Sequence, residues 1–198
     1  MPIEIFPHKK LHIFDLGNVL YSVDVRLTFA ALQKIGMPHF DGPLSNSHAA
    51  PGDFALYCDG KITTPQFYQA VRRTCHIQAS DDQIRDAWNA MLLGFRHDAL
   101  QQVRQLRSQG HLVALLSNCN QLHADHVRAQ YPGPGDFDSL FDRAFYSQEI
   151  HVSKPDPKAW QTVLTQMNVQ PADAAFYDDS PINIRAAQAL GIDSRQIP

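Results

Sequence analysis

Four short apolar runs along the chain each end in polar residues. The runs cover residues 11–14, 112–116, 144–146 and 174–177. A short apolar run bounded by polar residues is typical of a buried β-strand. In an open parallel α/β sheet, the binding crevice lies outside the carboxyl ends of the strands, so the polar residues after these runs are predicted to converge.

Helical patterns follow the apolar runs. Residues 99–108 have helical spacing, with Asp98 as the predicted N-cap and Gly110 at the end. Apolar positions recur at helical spacing in 159–167, and Ser180 and Pro181 open a further helix. Residues 192–197 are predicted to form a short edge strand. This alternation predicts an α/β fold with a doubly wound parallel sheet.

The spacing of the polar strand ends predicts an insertion. Between Asp15 and Ser117 lie 101 residues, against 36 between Ser117 and Lys154. One βαβ passage needs about 30 residues. The surplus contains helical signals at 25–35 and 66–74, a capping box at 80–83 and a loop at 42–52, without strand alternation. We therefore expect a core domain of residues 1–20 and 96–198 and a helical cap of residues 21–95.

Composition excludes several classes of partner. The chain has 198 residues and a net charge of -3, without long runs of one sign, which argues against nucleic acid or an anionic membrane as a partner. No apolar stretch approaches the roughly 20 residues that span a bilayer, so we expect a cytoplasmic protein. The three cysteines are odd in number and form no CxxC spacing, which argues against a disulfide framework or a structural zinc site.

The residue types at the strand ends suit phosphoryl transfer. Asp15 is a candidate nucleophile that attacks phosphorus. Asp15 and Asp178 are candidate Mg²⁺ ligands, because Mg²⁺ prefers hard oxygen donors. Lys154 supplies a compact positive charge for a phosphate oxygen and for screening Asp15 from Asp178. Ser117 and Asn118 offer a hydroxyl and backbone N–H groups to the phosphoryl oxygens. The expected partner is a small phosphorylated metabolite.

The order and spacing of these motifs resemble the haloacid dehalogenase-like superfamily of phosphohydrolases over almost the whole chain. The resemblance implies a Rossmann-like core and an inserted helical cap that closes over the active site. It implies catalysis by Asp15 and Lys154 through an aspartyl-phosphate on Asp15. It also adds the backbone carbonyl of Gly17 and, directly or through water, Asp179 to the Mg²⁺ site. Asn18, in the first motif, is a further predicted phosphate ligand.

Gly17 departs from the family pattern. Most phosphatases of the superfamily carry there a second aspartate, which protonates the leaving group, and a general acid is typically worth about 10²–10⁴ in rate. Three hypotheses follow: a leaving group that needs little protonation, a proton from another residue, or slow turnover. We favour the first, because residues 14–19 and 117–123 resemble a subgroup of sugar-phosphate phosphatases that includes glucose 1-phosphate phosphatases. His123 is the candidate proton donor, and Asn120 is predicted to be an N-cap and a substrate contact.

Two alternative functions stay open. A metal-independent carbon–halogen hydrolase of the same superfamily would use an aspartate without a paired acidic metal site, and the arginine closest to the first motif is Arg26. A non-catalytic module that binds a phosphometabolite is the second alternative, and Gly17 is its only support. The pair Asp178 and Asp179 argues against the first alternative.

Overall fold

The computed structural model of the protein describes residues 3–38 and 52–198. Five strands form one parallel sheet, and two more form a separate antiparallel pair. The strands are β1 (Leu11–Phe14), β2 (Tyr21–Val23), β3 (Leu92–Phe95), β4 (Leu112–Ser117), β5 (Arg143–Tyr146), β6 (Ala174–Asp178) and β7 (Asp193–Gln196). The order in the large sheet is β5-β4-β1-β6-β7, with β2 and β3 as the pair.

Helices alternate with the strands of the large sheet. In chain order they are α1 (Val25–Lys34), α2 (Asp53–Cys58), α3 (Thr64–Cys75), α4 (Asp81–Asn89), α5 (His97–Ser108), α6 (Gln121–Ala129), α7 (Ser147–Ile150), α8 (Pro157–Met167) and α9 (Pro181–Ala189). Short 3₁₀ turns at Phe137–Leu140 and Pro171–Asp173 precede β5 and β6. None of the described helices is long and apolar enough to cross a membrane.

The sheet is buried on both faces. Along β1, Phe14 packs into one hydrophobic cluster with Leu115 and Tyr177. Ile13 belongs to a second cluster with Trp160 and Phe176. Successive residues of a strand point to opposite faces, so two clusters on one strand mean that both faces are covered. The predicted doubly wound α/β core is therefore confirmed.

The register of the sheet brings the functional strand ends to one edge. Phe14 of β1 lies opposite Leu115 of β4 and Tyr177 of β6. The residue after Phe14 is Asp15, whose N–H donates to the Tyr177 carbonyl at 2.9 Å. The central strand therefore delivers Asp15 between the ends of its two neighbours.

The residues between β1 and α5 form a helical insert with its own hydrophobic cluster. Helices α1 to α4 lie between β2 and β3 and pack around Phe67, Trp88 and Leu32. The sequence-based expectation of an insert without strands is wrong at its base, where β2 and β3 pair antiparallel. These strands are too short to produce an alternating pattern. The predicted loop at 42–52 lies, up to residue 51, outside the described residues.

The helix starts follow local capping chemistry. Ser80 and Gln83 form the predicted capping box of α4. The prediction for α5 is wrong by two residues, because Arg96 is the N-cap and Asp98 lies in the first turn. The Asp98 carboxylate accepts a hydrogen bond from the Ala99 N–H at 2.9 Å. A carboxylate there satisfies an unpaired N–H of the helix start, as an N-cap does.

Candidate active site

Lys154 lies between two carboxylates at the edge of the sheet. Its Nζ donates to Asp15 Oδ1 at 2.6 Å and to Asp178 Oδ2 at 2.7 Å. Lys154 and Asp178 are almost completely buried, and Asp15 is 8% exposed. The peptide bond from Lys154 to Pro155 is cis. Three residues predicted from separate motifs thus converge.

Burial controls the electrostatics of this cluster. Burial raises the pKa of Asp15. The positive charge of Lys154 opposes this increase, and the negative charge of Asp178 adds to it. Burial also raises the pKa of Asp179, and the hydrogen bond from Asn18 opposes this change. For Lys154, burial favours the neutral amine, yet the charges of Asp15 and Asp178 outweigh it and raise the pKa. The lysine is therefore a permanent cation at neutral pH.

Asp15, Asp178 and Asp179 form a group of hard oxygen donors. Within the described part of the chain, one oxygen of each carboxylate lies within 4.8 Å of the others. Three carboxylates face one ammonium in this cluster, so a divalent cation would balance the charge. The donor chemistry fits Mg²⁺, which is bound by carboxylates and waters.

Asp178 is held by the start of α9. Its Oδ1 accepts from the Ser180 N–H at 2.8 Å, and the Asn183 Nδ2 lies 3.1 Å from each carboxylate oxygen. The sequence analysis missed Asn183. It lies in the first turn of a helix that begins at Pro181, where its sequence position does not distinguish it from a surface asparagine.

Asn18 positions Asp179. It has a positive φ of 55°, and its Nδ2 donates to Asp179 Oδ2 at 3.0 Å. Its Oδ1 accepts from the Val23 N–H at 3.0 Å. Both ends of this amide are therefore engaged within the protein. Gly17 precedes it, and a Cβ built there would meet its nearest neighbour, Asp15 Oδ2, at 3.8 Å, so the position has room for a side chain.

The loop after β4 is bonded to the lysine loop. The Asn118 Nδ2 donates to the Lys154 carbonyl at 2.7 Å, and Asn118 Oδ1 accepts from the Lys154 N–H at 2.8 Å. Ser117, the last residue of β4, is buried and lines the same cavity as Asp15. The reciprocal pair fixes the spacing of the two loops.

His123 and Asn120 lie where the helical insert meets α6. Asn120 is the N-cap of α6, as predicted, and its Oδ1 accepts from the His123 N–H. His123 Nε2 lies 3.1 Å from the Trp88 carbonyl and Nδ1 lies 3.1 Å from Asn120 Nδ2. Because a carbonyl only accepts, Nε2 carries the proton and Nδ1 accepts. His123 is therefore neutral and bonded at both ring nitrogens in this arrangement.

A cavity of about 710 Å³ opens beside the cluster. Asp15, Ser117, Lys154 and Asp179 line one part of it. The helical insert also lines the cavity, with the ion pair of Asp24 and Arg26 and with five apolar residues from β2, α1, β3 and the position before β3. These are Tyr21, Val23, Val25, Met91 and Leu92. The cavity is therefore lined both by the ionic cluster and by the helical insert.

The chain is similar in sequence to known proteins that are named as phosphatases. The chain is 34% identical over 186 residues to validoxylamine A 7'-phosphate phosphatase from Streptomyces hygroscopicus subsp. limoneus, covering 92% of this chain and 83% of that protein. It is 25% identical over 190 residues to D-ribitol-5-phosphate phosphatase from Bacteroides thetaiotaomicron, covering 93% and 89%.

A solved structure has the same fold. It is a haloacid dehalogenase family enzyme from Bacteroides thetaiotaomicron in complex with magnesium and inorganic phosphate. The TM-score is 0.87 at 29% identity, over 96% of this chain and 94% of that chain. The family profile described as haloacid dehalogenase-like hydrolase matches residues 9–191. The chain therefore belongs to the haloacid dehalogenase-like hydrolases, and its assignment as an enzyme is confirmed.

Proposed function

We propose that the protein catalyses Mg²⁺-dependent hydrolysis of a small phosphomonoester through an aspartyl-phosphate on Asp15. The observation that carries this proposal is the convergence of Asp15, Lys154, Asp178 and Asp179 in one cluster. All of these except Asp178 line one cavity. Two relatives, named as D-ribitol-5-phosphate phosphatase and validoxylamine A 7'-phosphate phosphatase, support the reaction class.

The ion would be held by Asp15, Asp178 and Asp179, with the Gly17 carbonyl as the ligand that the family pattern adds. Bound there, it would neutralise charge on the phosphoryl oxygens and allow a dianion to approach a carboxylate. Asn183 and Asn18 would orient two of the ligands, Asp178 and Asp179, from behind. A similar structure that contains magnesium and phosphate supports this assignment.

The protein groups would act in two steps. In the first, an Asp15 oxygen attacks phosphorus, the bond from phosphorus to the ester oxygen breaks, and the leaving oxygen takes its proton from solvent. In the second, water attacks phosphorus and gives up a proton to solvent, the bond between phosphorus and Asp15 breaks, and inorganic phosphate is released with Asp15 regenerated. Lys154 donates to a phosphoryl oxygen throughout. Ser117 would add its hydroxyl, and Asn118 its backbone N–H, because the Asn118 amide is taken up by Lys154.

We propose a substrate whose leaving group needs little protonation, such as a sugar 1-phosphate or an acyl phosphate. Gly17 has no acid to offer, and both ring nitrogens of His123 are engaged with Trp88 and Asn120. Proton donation from His123 would require those contacts to break. An electron-poor leaving group removes the need for a donor.

We also propose that residues 21–95 act as a cap over a core of residues 1–20 and 96–198, in a cytoplasmic enzyme. Support comes from the hydrophobic cluster formed mainly by the insert, which Leu122 of α6 joins, and from the contribution of the insert to the cavity wall. The cap would limit the access of bulk solvent to the aspartyl-phosphate, and its side chains would select the leaving group.

The test is a panel of phosphorylated metabolites assayed for phosphate release with Mg²⁺ and with a chelator. Asp15→Asn should abolish turnover, whereas Asp82→Asn, an exposed change in the insert, should not. Activity that survives the chelator, together with halide release from a 2-haloacid, would support the metal-independent alternative. Metal-dependent phosphate binding without turnover across the panel would support the non-catalytic module.

A further inference from the structure

The helical insert contacts the loop that carries Lys154 through the end of α2. The Ser153 hydroxyl donates to Asp59 Oδ1 at 2.6 Å. His151 Nδ1 donates to the Asp59 carbonyl at 3.0 Å, because the carbonyl can only accept. The Ser147 hydroxyl lies 2.7 Å from the Cys58 carbonyl. Three core residues on one segment, 147–153, thus bind two consecutive residues of the insert.

The contact is too close for any side chain at Gly60. This residue has a φ of +66°, and a Cβ built on it would lie 2.1 Å from the Gln148 carbonyl oxygen. Backbone therefore packs directly on backbone at this point. A glycine that meets both demands allows residues 58–60 to settle onto residues 147–153. We call these two segments the docking junction.

The core side of the docking junction is bonded to both loops of the phosphoryl end. The Cys119 N–H donates to Ser147 Oγ at 2.9 Å, which ties the loop after β4 to α7. Ser153 is adjacent to Lys154, whose backbone is bonded at both its N–H and its carbonyl to the Asn118 side chain. Asp59 in the insert is therefore linked to Asn118 by the hydrogen bond to Ser153, the peptide bond from Ser153 to Lys154 and the two hydrogen bonds between Lys154 and Asn118.

We propose that the docking junction positions Lys154 and the Ser117–Asn118 loop, so that seating of the insert completes the phosphoryl end of the site. The proposal rests on the proposed function and adds Asp59, Gly60, Ser147 and Ser153 as positioning residues. Lys154 is hydrogen-bonded to two carboxylates through its ammonium and to the Asn118 side chain through its backbone. Loss of the hydrogen bond to Asp59 would leave Ser153, the residue before Lys154, less constrained. A displacement of about 1 Å in such a loop can cost about 100-fold in rate.

The test compares Asp59→Ala with Asp59→Asn. Alanine removes the acceptor for Ser153, whereas asparagine keeps an oxygen in its place. We expect alanine to lower kcat by about tenfold or more, with a much smaller change in KM, and asparagine to restore most of kcat. Lys61→Ala is the matched control, because it removes only the exposed ion pair of Asp59 with Lys61 at 2.8 Å.

Ser153→Ala approaches the same bond from the core side. If the bond acts as proposed, Ser153→Ala lowers kcat similarly, and the double variant with Asp59→Ala is no slower than either single variant. Equal and additive losses, or an asparagine variant as slow as alanine, would overturn the proposal. The melting temperature of each variant separates loss of folded protein from loss of positioning.

A second readout does not depend on turnover. Hydrogen exchange of the Cys119 amide and of residues 147–154 should be faster in Asp59→Ala and Ser153→Ala than in Lys61→Ala. Unchanged exchange would contradict the docking junction even if the enzyme is a phosphatase. Faster exchange in a protein without phosphatase activity would retain the junction and reject the proposed function.

Discussion

Lys154 and Asp178 form an ion pair of 2.7 Å in which both side chains are almost completely buried. The same ammonium also bonds Asp15, so one buried cation holds two buried anions together. A buried charge without a partner costs several kcal/mol. The arrangement therefore has consequences for stability as well as for chemistry.

Lys154→Met should destabilise the protein by about 3–5 kcal/mol, because it leaves Asp15 and Asp178 facing each other without a counter-charge. Mg²⁺ should restore part of this loss, since a cation bound to the carboxylates replaces the missing charge. Denaturant unfolding in chelator and in Mg²⁺ measures both effects. Lys158→Met, on the exposed side of α8, is the control. Equal stability of the two variants would contradict the role of the buried cation.

Asn183→Ala should weaken Mg²⁺ binding about 10- to 100-fold, because Asp178 loses the amide that orients both its oxygens. Isothermal titration calorimetry of the ion against the free protein gives the affinity. Gln188→Ala, exposed on the same helix, tests for a general effect on α9. An affinity equal to that of the Gln188 variant would remove Asn183 from the site.

Gly17→Asp should broaden activity to poor leaving groups. The backbone there does not have a positive φ, a Cβ would make only ordinary van der Waals contacts, and Gly17 lines the cavity. A carboxylic acid beside Asp15 can protonate the departing oxygen, which is worth about 10² or more for an alkyl phosphate. For wild type, Gly17→Asp and the non-acidic Gly17→Asn, rates are measured with a series of leaving groups. The slope of the logarithm of the rate against the pKa of the leaving group is then compared. Identical slopes for all three would reject the proposed leaving-group dependence.

The His12 side chain makes stability depend on pH. Burial, aided by the charge of His111, lowers the pKa of His12 from 6.5 to about 4, and its Nδ1 lies 3.0 Å from the Tyr177 hydroxyl. Between these pH values the unfolded chain binds more protons than the folded protein. The contribution of neutral His12 to the free energy of unfolding is therefore complete above pH 6.5. It decreases by about 3 kcal/mol as the pH falls towards 4.

His12→Gln keeps a polar partner for Tyr177 and removes the titration. The difference in free energy of unfolding between wild type and this variant should therefore vary between pH 7 and pH 4, with wild type losing more. His8→Gln, at an exposed position, should follow the wild-type curve. Parallel curves for wild type and His12→Gln would contradict the prediction.

Much of the core could be predicted because its strands are apolar runs that end abruptly. Phe14 to Asp15 and Tyr177 to Asp178 are such changes, and the topology of a parallel sheet brings them together. Asn183 was missed because an asparagine in a helix has no pattern that separates a ligand-orienting residue from a surface one. The strands β2 and β3 were missed because they contain three and four residues, with Gly94 in the second.

The docking junction had no sequence signal. Asp59 and Ser153 are 94 positions apart in the sequence, and Gly60 follows Asp59 directly. Each of the three is an ordinary turn residue by itself. Their relation depends on how the insert sits on the core, which local periodicity does not encode. Interfaces built from single hydrogen bonds between distant turns require coordinates.

The central position of β1 has a consequence for biosynthesis. The strand that carries Asp15 is synthesised before the other six described strands, yet its neighbours are β4, which begins at Leu112, and β6, which begins at Ala174. The apolar segment Leu11–Phe14 therefore stays unpaired while residues 15–111 are translated, about half of the 198 residues. Long-range pairing of this kind slows folding and leaves aggregation-prone strand edges exposed in the meantime. Nascent-chain chaperones would find their target in this first segment.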